Sequence, residues 1–219
     1  MKTSVKYVII SDTETGGLPS EDRRAVFDVA LLEVSCCVID MELLEIIEEY
    51  DNLIKPDYKD NLILSCEALA VNGIELDVLE SSGVALQQVY KDLKSLFVKY
   101  KNPRHKAILG GHNFDGFDFD FFNLFEFAGD DIEKYVKWRE DTLRYAYYAN
   151  LEQSDYKLVT CCNEFGIDLV GAHRALNDTR ATAKLFIEFI KRLRSVGSHR
   201  GARNHFVHHF DIKFHDFIT

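Results

Sequence analysis

Three apolar stretches in the first quarter of the chain constrain its fold more than any other feature. Residues 5–10, VKYVII, form a short β-branched and aromatic run of the kind that makes a buried strand. Two further apolar-rich stretches, 27–39 and 43–54, are separated near Asp40. We expect them to continue the sheet as an antiparallel pair.

Helical patterns follow these strands, and short strands separate some of them. Short helical turns are predicted within 65–80, a longer helix over 82–100 and a strand over 106–110. Later apolar spacings predict helices over 114–125, 141–149, 158–165 and about 177–195. Strands first, then helices alternating with short strands, indicate an α/β domain in which helices flank a mixed sheet.

Composition and punctuation indicate one globular domain. The chain has 219 residues, of which 47% are hydrophobic and 28% charged, with only three prolines. We expect a domain over 1–195 and a C-terminal tail over 196–219 of unassigned structure. The N-terminal apolar run is too short for a signal peptide or a membrane span, and the five cysteines have no zinc or disulfide spacing. A cytoplasmic protein that does not bind a membrane is therefore expected.

The first chemical motif is the sequence SDTETGG, which places Asp12 and Glu14 two residues apart at the predicted end of a strand. Side chains at this spacing leave the same face of a sheet. Crowded carboxylates repel each other unless a cation lies between them, and oxygen ligands suit Mg²⁺ or Mn²⁺. A surface turn with incidental acids is the alternative explanation, because two acids at this spacing are a weak signal.

Two later segments add an acid each and a histidine. Asp118 comes early in a predicted helix among aromatic residues, where a carboxylate without a partner is costly to bury. A metal would account for it, and so would capping of the helix start. His173 and Asp178 stand roughly 500° apart on an ideal helix. They reach one cleft only if the histidine lies on the preceding loop and the acid in the first helical turn.

Together these motifs resemble those of the DEDDh, or DnaQ-like, 3′–5′ exonuclease family. That family includes proofreading subunits of replicative polymerases, TREX-type DNA exonucleases and ribonuclease T. The matching segments are DTETGGL at 12–18, N-x3-F-D at 113–118 and H-x4-D at 173–178, and the similarity extends over about 4–195. The spacing of the second motif is longer than in epsilon-type proofreaders and is more similar to that of TREX-type and phage-type exonucleases.

The resemblance implies a ribonuclease H-like fold and two divalent cations, Mg²⁺ or Mn²⁺. Their ligands would be Asp12, Glu14, Asp118 and Asp178, with His173 as the general base. It also implies that the terminal nucleotide contacts a further set of residues: Thr13, Thr15, Gly17, Leu18, Asn72, Asn113, Phe114 and Phe117. The last of these is equally well explained as a core residue.

The predicted activity is removal of 5′-mononucleotides from the 3′ end of a nucleic acid, with single-stranded DNA as the expected substrate. The spacing of the second motif favours DNA. A 3′–5′ exoribonuclease is the alternative within the same class, because DEDDh sites act on either sugar. An inactive scaffold that binds nucleic acid or a polymerase is the alternative from another class, but every ligand is retained. A stand-alone enzyme is favoured over one with a polymerase or replication partner, and oligomeric state is not predicted.

Overall fold

The computed structural model describes residues 5–19, 25–102, 106–149 and 154–198. Within these ranges the strands are β1 (Tyr7–Thr15), β2 (Leu31–Asp40), β3 (Glu45–Leu53), β4 (Ala107–Gly111) and β5 (Val136–Asp141). They form one sheet in the order β3-β2-β1-β4-β5. The first three strands are antiparallel, whereas β4 is parallel to β1 and β5 is parallel to β4. The predicted mixed sheet is therefore confirmed.

Helices cover both faces of this sheet. In the described part of the chain they are α1 (Ala25–Asp28), α2 (Cys66–Asn72), α3 (Leu76–Ser82), α4 (Leu86–Lys99), α5 (Asp118–Phe121), α6 (Leu124–Phe127), α7 (Thr142–Tyr148), α8 (Leu158–Glu164) and α9 (Ala175–Ser198). Single 3₁₀ turns lie at Phe114–Gly116 and Ile132–Lys134. No helix among the described residues is both long enough and apolar enough to cross a bilayer.

Alternation along β1 divides its side chains between two helical layers. Val8 and Ile10 pack with Phe186 of α9, on what we call the α9 face of the sheet. Ile9 packs with Phe97 of α4, on what we call the α4 face. Because β2 is covered on both faces, nearly all of its residues are buried, which explains its almost continuous apolar sequence.

The first strand is longer than its apolar run. It was predicted over 5–10, but β1 continues to Thr15, so Asp12 and Glu14 lie inside the strand. The reason is that β2 keeps pairing with β1 beyond the apolar residues, through Glu14 and Glu33 and, after a register shift, as far as Thr15 and Leu31. Interstrand hydrogen bonds thus hold a polar segment extended.

The single helix predicted over 114–125 is wrong. The segment forms a 3₁₀ turn and the two short helices α5 and α6, because Phe117 has a non-helical backbone with φ −149° and ψ −70°. Its aromatic rings pack in several directions within the core, which one helical face could not achieve. The strand β5 was not predicted, because Lys137, Trp138 and Arg139 are exposed at the sheet edge and lack an apolar alternation.

The long C-terminal helix agrees with its prediction except at its ends. It begins at Ala175 and continues to Ser198, past the predicted domain boundary at residue 195. Its apolar stripe is buried at Ala181, Leu185 and Phe189, but Leu193 is 46% exposed because the packing ends before it. Most of the predicted tail, from residue 199 onward, lies outside the described residues.

The aromatic core on the α4 face yields a stability prediction. Phe97 is fully buried and stacks on Phe125 with ring centroids 5.8 Å apart. Phe97→Ala leaves a cavity and should lower the free energy of unfolding by about 3–5 kcal/mol. The adjacent Val98 is 48% exposed, and Val98→Ala should change it by less than about 0.5 kcal/mol. Urea denaturation measures both, and a loss below about 1 kcal/mol for Phe97→Ala would contradict this packing.

Candidate active site

The first motif lies where β1 leaves the sheet and turns. Asp12 and Glu14 are half-buried and point to the α9 face, as alternate residues of one strand must. The chain then turns at Gly16, whose N–H donates to the carbonyl of Ala30 at 2.7 Å. A Cβ on Gly16 would lie 2.5 Å from the carbonyl oxygen of Ile63, so only glycine fits this close approach.

The start of α9 brings a third carboxylate to the same place. Asp178 lies in the first turn of the helix, and His173 lies on the loop before it, which is the arrangement that the spacing of the two residues required. The ligand oxygens of Asp12, Glu14 and Asp178 all lie within 4.8 Å of one another. The backbone N–H of His173 donates to Asp178 Oδ2 at 2.9 Å. The side chain of His173 is exposed at the rim of this cluster.

Asp118 approaches β1 from the α4 face. The strand pairs with β4 only at Ile9 and Ile10, so the rest of its edge is free for the start of α5. Asp118 Oδ1 accepts hydrogen bonds from the backbone N–H of Thr13 at 2.9 Å and from its hydroxyl at 2.7 Å. Its charge acts on Asp12, although it is not one of the three carboxylates that converge within 4.8 Å.

The other acids of the second motif have different surroundings. Asp115 forms ion pairs with Arg139, at 3.0 Å from Nε to Oδ1, and with Arg144. Asp120 is exposed on the surface of α5. Of the three acids, Asp118 is thus the one that is buried beside β1.

Burial and mutual repulsion make this cluster electrostatically unfavourable. Burial raises the pKa of Glu14 to about 8, and the charges of Asp178 and Glu33 add to the effect. The pKa of Asp12 lies well above its ordinary range because of burial, and then because of Asp118 and Glu14. Burial also raises the pKa of Asp118 to about 7, against the opposing effect of its hydrogen bonds from Thr13. A cation would relieve both burial cost and repulsion.

The residues expected to contact a nucleotide fall into two groups. Leu18 is 77% exposed just beyond the glycine turn, and Asn113 is exposed in a left-handed conformation with φ 61°. Asn72 is buried, and its amide donates to the carbonyl of Thr15 at 3.4 Å. The other residues make contacts within the protein: Thr13 and Thr15 are buried, Gly17 lies against Ile63, and the partly buried Phe117 contacts Phe121 with centroids 5.4 Å apart.

Phe114 occupies a different place from the one expected of a nucleotide-binding wall. Its ring has no exposed surface and packs edge-on against Phe119 and Phe122, with centroids 5.8 Å away in both cases. This burial gives it a role in the aromatic core beneath the second motif.

Sequence reasoning missed three polar residues that hold the site together. Glu33 is fully buried in β2, and Arg174 on the loop before α9 binds it. Asp141 ends β5 and accepts hydrogen bonds from Leu143 N–H at 3.0 Å and from Asn113 N–H at 2.9 Å. It therefore caps α7 and fixes the second motif at once. A charge within an apolar strand was the signal for Glu33, but no local pattern marks its partner.

Comparison with known proteins identifies the fold and the family. Among solved structures, Escherichia coli exonuclease I in complex with a dT13 oligonucleotide superposes with a TM-score of 0.69 at 22% identity, over 89% of this chain and 44% of that one. The nuclease domain of 3′hExo, a DEDDh family member bound to rAMP, gives 0.67 at 19% identity over 88% of this chain and 95% of that one. These likenesses confirm the ribonuclease H-like fold.

Sequence relatives agree with the structural ones. The PolC-type DNA polymerase III of Bacillus cereus is 28% identical over 184 residues, which is 84% of this chain and only 11% of that protein. Ribonuclease T of Shewanella denitrificans is 28% identical over 200 residues, 87% of this chain and 83% of that protein. The RNase T exonuclease family model matches residues 9–186. The chain therefore belongs to the RNase T exonuclease family, within its DEDDh, DnaQ-like group of 3′–5′ exonucleases.

Proposed function

We propose that this chain hydrolyses the last phosphodiester bond at the 3′ end of a nucleic acid and releases a 5′-mononucleotide. The observation that carries the proposal is the convergence of Asp12, Glu14 and Asp178 within 4.8 Å from β1 and α9, which are distant in sequence. Family membership supports the direction of attack and the reaction class.

Divalent cations fit this group of side chains. Asp178 Oδ1 is buried and has no hydrogen-bond partner among the described residues, so it has a free acceptor site. Carboxylate oxygens favour Mg²⁺ or Mn²⁺. We propose that Asp12, Glu14, Asp118 and Asp178 hold two such ions. When bound, two ions stabilise the attacking and leaving oxygens of an in-line displacement at phosphorus.

His173 is the proposed general base. Its imidazole is exposed beside the carboxylates, where it can accept a proton from the attacking water and release it to solvent. His112 is less suited to this role, because its ring nitrogens already lie 2.8 Å from the Thr142 hydroxyl and from the Tyr156 carbonyl oxygen.

The terminal nucleotide is proposed to lie along the glycine turn. The exposed Leu18 would pack against its base or sugar. Asn72, at the end of α2, would border the nucleotide on another side. Asn113 and Phe117 extend the same wall on the side of the second motif. Aromatic and apolar contacts of this kind do not distinguish bases, which suits an enzyme that degrades any sequence.

We propose single-stranded DNA as the preferred substrate, and RNA as the second candidate. The complex of exonuclease I with dT13 and the PolC relatives support DNA. The ribonuclease T relative, matched over most of its length, and the rAMP complex of 3′hExo support RNA. The PolC relatives also support a proposal that the chain acts beside a polymerase.

Product analysis tests the proposed activity. With Mg²⁺ or Mn²⁺, the protein should shorten end-labelled single-stranded DNA from its 3′ end and release 5′-mononucleotides, and a blocked 3′ end should resist. Asp12→Ala should abolish activity, because it removes a proposed metal ligand. It should not unfold the protein, because it also removes carboxylate repulsion. Full activity in EDTA, an active Asp12→Ala variant or rapid cutting of circular DNA would each contradict the proposal. A rate on RNA about tenfold above that on DNA would make RNA the substrate.

The choice of ligand in the second motif is testable by three matched substitutions. Asp118→Asn should be essentially inactive, because the buried Asp118 lies beside Asp12. Asp115→Asn and Asp120→Asn should keep most of the activity, since Asp115 is occupied by two arginines and Asp120 is exposed. Steady-state rates on one oligonucleotide measure all three. An inactive Asp115→Asn beside an active Asp118→Asn would reverse the assignment.

The raised pKa of Glu14 predicts how the metal-free protein responds to pH. A carboxyl with an ordinary pKa of 4.5 and a pKa of about 8 in the fold takes up a proton on folding between these values. Stability without metal should therefore fall as pH rises through this window. Glu14→Gln should raise the melting temperature in EDTA by a few degrees at pH 8.5 and by much less at pH 5.5, since 1 kcal/mol corresponds to about 2–4 °C in a domain of this size.

Thermal unfolding in EDTA, followed by fluorescence or circular dichroism, measures this difference. The control is Glu80→Gln, which changes an exposed glutamate of α3 and should leave the pH dependence as it was. Addition of Mg²⁺ at pH 8.5 should stabilise the parent protein more than Glu14→Gln. The same stabilisation by Glu14→Gln at both pH values would show that repulsion at this site is not what destabilises the metal-free protein.

A further inference from the structure

A fully buried glutamate lies next to the carboxylate cluster and is not one of its three converging members. Glu33 of β2 has no exposed side-chain surface, and the strand register pairs it directly with Glu14. Both side chains therefore leave the α9 face of the sheet. Burying an additional carboxylate beside others is unfavourable unless specific partners hold it.

Among the described residues, three hydrogen bonds hold this carboxylate, and they come from the last loop residue before α9 and from the first residue of that helix. Arg174 binds it with two nitrogens, Nη2 to Oε1 at 2.7 Å and Nε to Oε2 at 3.2 Å. The backbone N–H of Ala175, the first residue of the helix, donates to Oε2 at 3.0 Å. Glu33 thus caps α9 from a neighbouring strand, at the helix end where a negative charge is favourable.

The proposed base lies on the loop directly next to these contacts. His173 directly precedes Arg174 and has φ 67°, a left-handed conformation that is unfavourable for a residue with a side chain. Its backbone is fixed on one side by its N–H bond to Asp178 and on the other by the grip of Arg174 on Glu33. Within the part of the chain that the structure describes, no hydrogen bond holds the exposed imidazole itself.

From this arrangement we infer that Glu33 and Arg174 are positioning residues that fix the His173 loop against the catalytic carboxylates. The inference rests on the proposed function, since it assigns the pair a role through His173. This positioning role requires that two guanidinium nitrogens of Arg174 bind the carboxylate of Glu33. A positive charge alone would not suffice. Lysine at this position would keep the charge but could not bind both oxygens of Glu33 in the same way.

The test compares Arg174→Lys and Arg174→Gln with a substitution of Arg180, which forms a similar ion pair from α9. Both Arg174 variants should lower kcat by about tenfold or more, because a small displacement of a catalytic group slows the reaction strongly. Their KM should stay near that of the parent protein. Mn²⁺ affinity of Arg174→Lys, which keeps the positive charge near Glu14, should also stay unchanged when calorimetry measures it without substrate. Arg180→Lys is the control, because Arg180 makes a similar two-nitrogen contact with Glu49 of β3, away from the loop.

A double-mutant cycle separates positioning from a general structural effect. In a His173→Ala background, Arg174→Lys should cause no further loss of the residual rate, because the group that it positions is already gone. An additional loss of the same size in the His173→Ala background would overturn the inference. So would Arg174→Lys alone if it raised only KM, weakened Mn²⁺ binding or kept full activity. Glu33→Gln is a second route to the same comparison, and thermal unfolding shows whether it folds.

The cycle also distinguishes failure of the inference from failure of the proposed function. If His173→Ala keeps the parent rate, the proposed base is wrong and the role of the pair falls with it. If His173→Ala is strongly impaired while Arg174→Lys retains the parent kcat, the base stands and only the positioning role is wrong.

Discussion

The antiparallel register between β1 and β2 is the constraint on which the site depends. It pairs Asp12 with Ser35 and Glu14 with Glu33, so the acids of β1 lie on the face that the first turn of α9 covers. Because side chains alternate along a strand, a slip of one residue would turn these acids towards the aromatic core on the α4 face. The buried apolar residues that precede them, such as Ile10, make that slip unfavourable.

Much of this arrangement is local, and the sequence could predict it. Two acids at alternate positions of a strand share a face whatever the tertiary structure is, which is why the spacing of Asp12 and Glu14 could predict that their side chains lie on the same face. The same reasoning put His173 on a loop and Asp178 in the first turn of a helix, where the structure has them. The other members of the motif set were expected from the family resemblance, and the family model confirms the family itself.

Several of the unpredicted features depend on contacts between residues that are far apart in the sequence. Glu33 looks like an isolated charge until the loop before α9 supplies its arginine, and Asp141 fixes the second motif only because β5 ends beside Asn113. The helix expected over 114–125 breaks at Phe117, since its rings pack better in several directions than along one face. Periodicity describes one element at a time, whereas these residues are determined by the neighbours that the fold brings to them.

The continuity of α9 has a mechanical consequence. One continuous helix carries Asp178 in its first turn and buries Phe186 and Phe189 further along. It therefore connects the site rigidly to the core. A substitution in the buried middle of α9, or a force applied to its C-terminal end, would shift Asp178 relative to β1. The changed residue would not itself contact the carboxylates. Residues that tune the catalytic geometry can therefore lie several helical turns from the chemistry.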